Sequence, residues 1–134
     1  LIDCLRKGDA IFEKGTVVEE DMATYHDINM VFHQTILDLA DNSALALAVA
    51  RNNHLPFASY SSIAVDLKEL DREFRRLKLA HLQHHLVVDA LKRGQGRRAE
   101  AVMREHAYAG ALYFEMFWRD RPVFDDVTFI TAAE

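Results

Sequence analysis

Residues 22–40, MATYHDINMVFHQTILDLA, decide how the chain is read. Met22, Tyr25, Phe32, Ile36 and Ala40 recur at the three-and-four spacing of a helix with one buried face. Asn29 and His33 stand four residues apart and project from that same face. An amide and an imidazole placed where a helix buries itself cost free energy unless they meet a partner. The stretch therefore predicts both a long helix and something polar for it to face.

Outward from this helix the pattern stays helical. Upstream, Ile2, Leu5, Ala10 and Phe12 suggest a short helix that stops near Gly15. Thr16-Val17-Val18-Glu19 fits a capping box, with Thr16 as N-cap. Downstream the long helix ends about Asp41-Asn42, and Asn42 or Ser43 can cap a third helix, ALALAVAR. Pro56 restrains His54 and Leu55 and predicts a break there. FASYSSIAVDLKEL, residues 57–70, has no clear period.

A helix from about Leu70 to Arg93 carries Phe74, Leu77, His81, His84, Val88 and Leu91 on one stripe, with Gly94 as its stop. The last long helix, about Arg97 to Trp118, presents Ala99, Met103, His106, Gly110, Tyr113 and Phe117, and Pro122 ends it. VFDDVTFITAAE remains as a tail compatible with extended backbone. The expected architecture is all-α, an antiparallel bundle of about six helices forming one domain over residues 1–134.

Composition narrows the function. Half of the 134 residues are hydrophobic, enough for one core. A net charge of −5 gives no basic bias for nucleic acid or anionic lipid. The single Cys4 excludes an internal disulfide and points to a reducing, cytoplasmic setting. No apolar run is long enough to span a membrane. The chain opens at Leu1 in mid-pattern, so a preceding segment is expected.

His33, His84 and His106 each fall on the apolar face of a different long helix, near mid-length, with Asn29 one turn before His33. Inward faces of a bundle converge, and helical proteins build metal sites there. Three neutral imidazoles suit zinc, nickel or another divalent ion and leave coordination positions open. Asn29 offers a carbonyl oxygen and no charge, so the ion keeps its double charge and favours an anion such as a small carboxylate. A lone histidine on such a stripe is usually a hydrogen-bonded core residue. His81 also lies on the seam, and periodicity does not choose between it and His84. His85 falls off the stripe, and His26 and His54 read as boundary residues.

NMVFHQTILDLADNSAL, followed by QHHLVVDALKRGQGRRAEAVMREH, resembles the FCD domain, the effector-binding domain of FadR-type regulators in the GntR superfamily. The carrying residues are Asn29 with Phe32-His33, Asn42 after Ala40-Asp41, His84 ten before Gly94, and Ala99 to Met103 to His106. That register favours His84 over His81. The resemblance covers about Leu1 to Trp118 and implies a divalent metal on Asn29, His33, His84 and His106. Zinc is the first expectation, with nickel and manganese admissible.

It also implies a small carboxylate effector and a homodimer. Operator DNA would be bound by an N-terminal winged helix-turn-helix absent from this chain, and the resemblance implies that the first helix of the family is missing too. Many metal-binding members have Asp where this chain has Asn29. Arg51, Tyr25 and Tyr113 are candidate effector contacts, with Phe57, Tyr60 and Phe117 as further pocket walls. A sensor rather than an enzyme is expected. The alternative is a metal-dependent helical-bundle enzyme acting on a small organic acid, which an open three-histidine site would permit. Glu105, the acid nearest His106 in sequence, points about 100° away around the helix.

Overall fold

A computed structural model describes residues 1–52, 62–117 and 127–131. The fold is all-α, with five helices and one two-stranded ribbon among the described residues. The expected break at Pro56, the boundary residue His54, the pocket walls Phe57 and Tyr60, and the stop at Pro122 lie outside them.

Helix α1 (Ile2–Phe12) buries Cys4, Leu5, Gly8, Ile11 and Phe12, a continuous stripe along one side. Phe12 meets Tyr25 edge to face at 5.0 Å and Phe74 at 6.0 Å, tying α1 to the two helices beneath it. Helix α2 (Glu19–Ala40) starts at Val18 rather than at the expected Thr16 cap. Asp21 Oδ2 accepts the Val18 N–H at 3.1 Å, and Asp21 also pairs with Lys14 at 2.7 Å. With Glu19 and Glu20, the first turn carries three acids against the positive end of the helix. That acidic turn outcompetes a Thr16 hydroxyl for the start of the helix.

Helix α2 ends at Asp41, which adopts a left-handed φ of 44°. Asn42 Oδ1 then accepts the Leu45 N–H at 3.0 Å and caps α3 (Ser43–Asn52). Strand β1 (Ser62–Asp66) pairs antiparallel with β2 (Val127–Thr131), Ile63 opposite Ile130. Residues 127–131 of the tail are thus extended, and their partner strand lies within the segment that showed no period.

Helices α4 (Leu70–Lys92) and α5 (Gly96–Phe117) form the most extensive helix pair. Their turn is a Schellman motif: Gly94 N–H bonds Leu91 C=O at 3.0 Å and Gln95 N–H bonds Ala90 C=O at 2.9 Å. Gly94 takes φ +66°, a conformation that disfavours residues with a Cβ. So short a connection makes α4 and α5 antiparallel neighbours. Met22, Tyr25, Phe32, Leu77 and Val88 form the centre of the core, with the imidazole of His84 among them. No helix among the described residues is long and apolar enough to cross a membrane.

Candidate metal centre

Three helices bring His33, His84 and His106 together. Each offers one ring nitrogen, and the three nitrogens lie within 4.8 Å of one another. Ring centroids are 5.1 Å apart for His33–His84, 4.8 Å for His84–His106 and 5.5 Å for His33–His106. Phe32 holds the set in place. It is fully buried and stacks on His84 at 4.0 Å with an interplanar angle of 18°. Asn29, buried one turn before His33, lines the same cavity as His33 and His106.

The electrostatics keep these rings neutral. Burial, reinforced by the neighbouring His106, pushes His33 down to about 3. Burial drives His84 far below the usual imidazole range, with its histidine neighbours adding to the effect, and burial also lowers His106. A neutral imidazole is the ligand form. Gln83 Oε1 lies 3.0 Å from His106 Nδ1. An amide oxygen only accepts, so Nδ1 carries the hydrogen and Nε2 keeps its lone pair, an outer contact common behind metal-bound histidines. His84 Nε2 is buried with no hydrogen-bond partner. An orphaned lone pair there costs about 1–3 kcal/mol. A divalent ion satisfies it, and the residues present fit one: three neutral ring nitrogens within 4.8 Å of one another surround a space that bonds of about 2.0–2.1 Å would draw closed.

The centre opens on a cavity of about 970 Å³. Tyr25 and Tyr113 line it. Tyr25 has a buried hydroxyl without a hydrogen-bond partner, and burial raises its pKa. Tyr113 hydrogen-bonds to Glu73 and receives a bond from Arg72 Nε at 3.1 Å. Burial and then the Glu73 contact push Tyr113 up to about 12, so it stays protonated. Arg51 stands exposed at the end of α3 and is not brought into this lining.

Arg72, Arg75 and Arg76 are the arginines of the lining. Arg72 pairs with buried Asp66 at 2.7 Å and Arg76 with buried Glu73 at 2.6 Å. Sequence reasoning missed these arginines and Gln83. The signal was present: Arg72, Arg76 and Ala80 follow one another every four residues along α4 and lead to Gln83 and His84. His81 and His85 do not join the centre. Their Nε2 atoms bond Asp9 Oδ1 on α1, at 3.1 and 2.8 Å.

The family model for the FCD domain matches residues 5–109, which includes all four candidate ligand positions. No curated protein and no solved structure gives a match.

Proposed function

The chain belongs to the FCD domain family, and from that premise we propose that it senses a small carboxylate through a divalent metal held by His33, His84 and His106, with Asn29 beside them. As an FCD domain it is the effector-binding domain of a GntR-type regulator. The supporting observation is the convergence of three neutral imidazoles, one with an orphaned nitrogen, at a large apolar-walled cavity. A bound divalent ion supplies positive charge and open coordination positions there. Zinc is the first candidate, followed by nickel and manganese.

The chain's own residues then select the effector. Tyr25 offers a hydroxyl donor, Tyr113 gives its hydrogen to Glu73 and serves as wall, and Arg72 and Arg75 give the lining a cationic character that favours a carboxylate. Because Asn29 is uncharged, the centre keeps a net positive charge and attracts an anion more strongly than one with an acid at that position. The effector favours one arrangement of α2, α4 and α5 and so shifts the population seen by an attached winged helix-turn-helix module in a homodimer, altering its hold on operator DNA. The protein is cytoplasmic on this reading.

Purification without chelator followed by elemental analysis tests the metal. His84→Ala and His106→Ala should each lose one equivalent, and unchanged content in both overturns the reading. Calorimetry with a panel of carboxylates, followed by product analysis, tests the sensor: binding without conversion is expected, whereas turnover favours the enzyme alternative.

A further inference from the structure

Asp9 on α1 and His81 and His85 on α4 form a second set of ligating side chains, each offering one donor atom within 4.8 Å of the others. We propose that this trio is a second divalent-cation site, one that fastens α1 to α4. It shares no residue with the centre formed by His33, His84 and His106.

His81 and His85 are four residues apart and share a helix face, the spacing by which helical histidine pairs hold zinc. Their Nε2 atoms approach one oxygen, Asp9 Oδ1, at 3.1 and 2.8 Å. Ligands bound at about 2.0–2.2 Å sit roughly 3 Å from their neighbours in the coordination shell. The two nitrogen–oxygen separations therefore already match a metal's coordination edges, and the two nitrogens lie within 4.8 Å of each other.

The inner ring carries a further sign. His81 is 4% exposed, and its Nδ1 is buried without a hydrogen-bond partner. The Leu5 backbone lies beside it, short of hydrogen-bond geometry, on the side that favours a proton. A neutral ring donating from Nε2 to Asp9 leaves a lone pair facing that backbone. A cation on Nε2 moves the hydrogen to Nδ1 and removes the conflict, the arrangement usual for a metal-bound histidine.

Helix α1 also makes room for this ring. A Cβ on Gly8 would lie 2.2 Å from His81 Cε1, so only glycine admits the imidazole here. Glycine is among the poorest helix formers, and its presence in mid-helix needs a packing reason. The recess beside the trio has a volume of about 340 Å³ and is lined also by Glu13. Lys78 shares it, with its ammonium over the Phe74 ring at 5.3 Å. Two imidazoles and a carboxylate suit a first-row divalent ion such as zinc.

The test is zinc stoichiometry of the full chain after stripping, reloading and desalting, with folding checked by circular dichroism. Wild type should bind two equivalents, and His106→Ala one. His85→Gln and Asp9→Asn, conservative changes at half-exposed positions, should each bind one, and H85Q combined with H106A none. If H85Q and D9N both keep the wild-type stoichiometry, the trio is only a pair of N–H···O hydrogen bonds and the proposal is overturned. If instead H106A changes nothing while H85Q loses an ion, the sensor centre fails and this site stands.

Discussion

Helix α4 serves two histidine clusters that differ in one component. His84 meets only other neutral imidazoles, His33 and His106, and leaves a buried nitrogen without a partner. One turn earlier and one residue later, His81 and His85 share a carboxylate from Asp9. The carboxylate supplies an acceptor and a charge, so the second cluster is held together without any ion. Burial raises Asp9, and the bonds from His85 and His81 more than offset this and hold it below the usual carboxylate range. The first cluster has no acid, and a cation would give His84 Nε2 the partner it lacks. Each cluster keeps one buried nitrogen without a partner, His84 Nε2 in the first and His81 Nδ1 in the second, and the acid decides only what holds the second together before an ion binds.

The largest effect that sharpens this contrast falls on the first cluster. Phe32→Ala removes the ring stacked on His84 and opens a void at a fully buried position. We expect a loss of about 3–5 kcal/mol in denaturant unfolding, together with loss of the metal bound by His33, His84 and His106. The Asp9 cluster should keep its geometry.

Gly8→Ala strikes the second cluster instead. Its Cβ would collide with the His81 ring, and overpacking of about 1–3 kcal/mol outweighs a helix-propensity gain of up to about 1 kcal/mol. Net destabilisation with the first metal retained is the expected result. A more stable G8A variant would show that His81 moves freely and is not held by α1.

Acid should probe the buried rings of both clusters without any mutation, because burial depresses His81 as well as His33 and His84. In metal-free protein His33 and His84 are depressed by burial, so between their folded values and about 6.5 the unfolded chain binds the extra protons. Their contribution is complete above pH 6.5 and is lost as pH falls below it, at about 1.4 kcal/mol per pH unit for each such ring. Asp9, depressed for the opposite reason, contributes above its unfolded value near 3.8 and loses that contribution only in stronger acid. Urea melts across pH 4–7 should show the first slope, and His33→Phe should flatten it. A pH-independent midpoint over that range would mean the rings are not buried as neutral groups.

The smallest effect concerns the charge of the first cluster. Asn29→Asp gives it the acid that the second cluster has. Metal affinity should rise on the order of tenfold, and binding of an anionic effector should fall by a similar factor, a change of about 1.4 kcal/mol each. Tighter effector binding in that variant would contradict the electrostatic account.

Much of this was legible in the periodicity, because helix stripes are local. Met22, Tyr25 and Phe32 announced the buried face of α2, and Asn29 and His33 its polar interruption. The choice between His81 and His84 was not legible from the stripe, and the reason is geometric. Both are buried, but three residues advance a helix by about 300°, so they lean to opposite sides of the stripe, one toward α1 and one toward α2 and α5. The β1–β2 pairing joins segments far apart in sequence, and neither carries a sign of the other. The cap of α2 was misplaced because Asp21 is reached by a backbone N–H from Val18, a bond no residue pattern at Thr16 reveals. Arg51 drew attention as a cation near a helix end, whereas the arginines that line the cavity are Arg72, Arg75 and Arg76, two to three turns before His84.

Anomalous diffraction from crystals grown without chelator locates the ion directly. The predicted result is a peak bonded at about 2.0–2.3 Å to nitrogens of His33, His84 and His106 together. Absence of anomalous density there in zinc-soaked crystals, with the three nitrogens hydrogen-bonded to water instead, would contradict it.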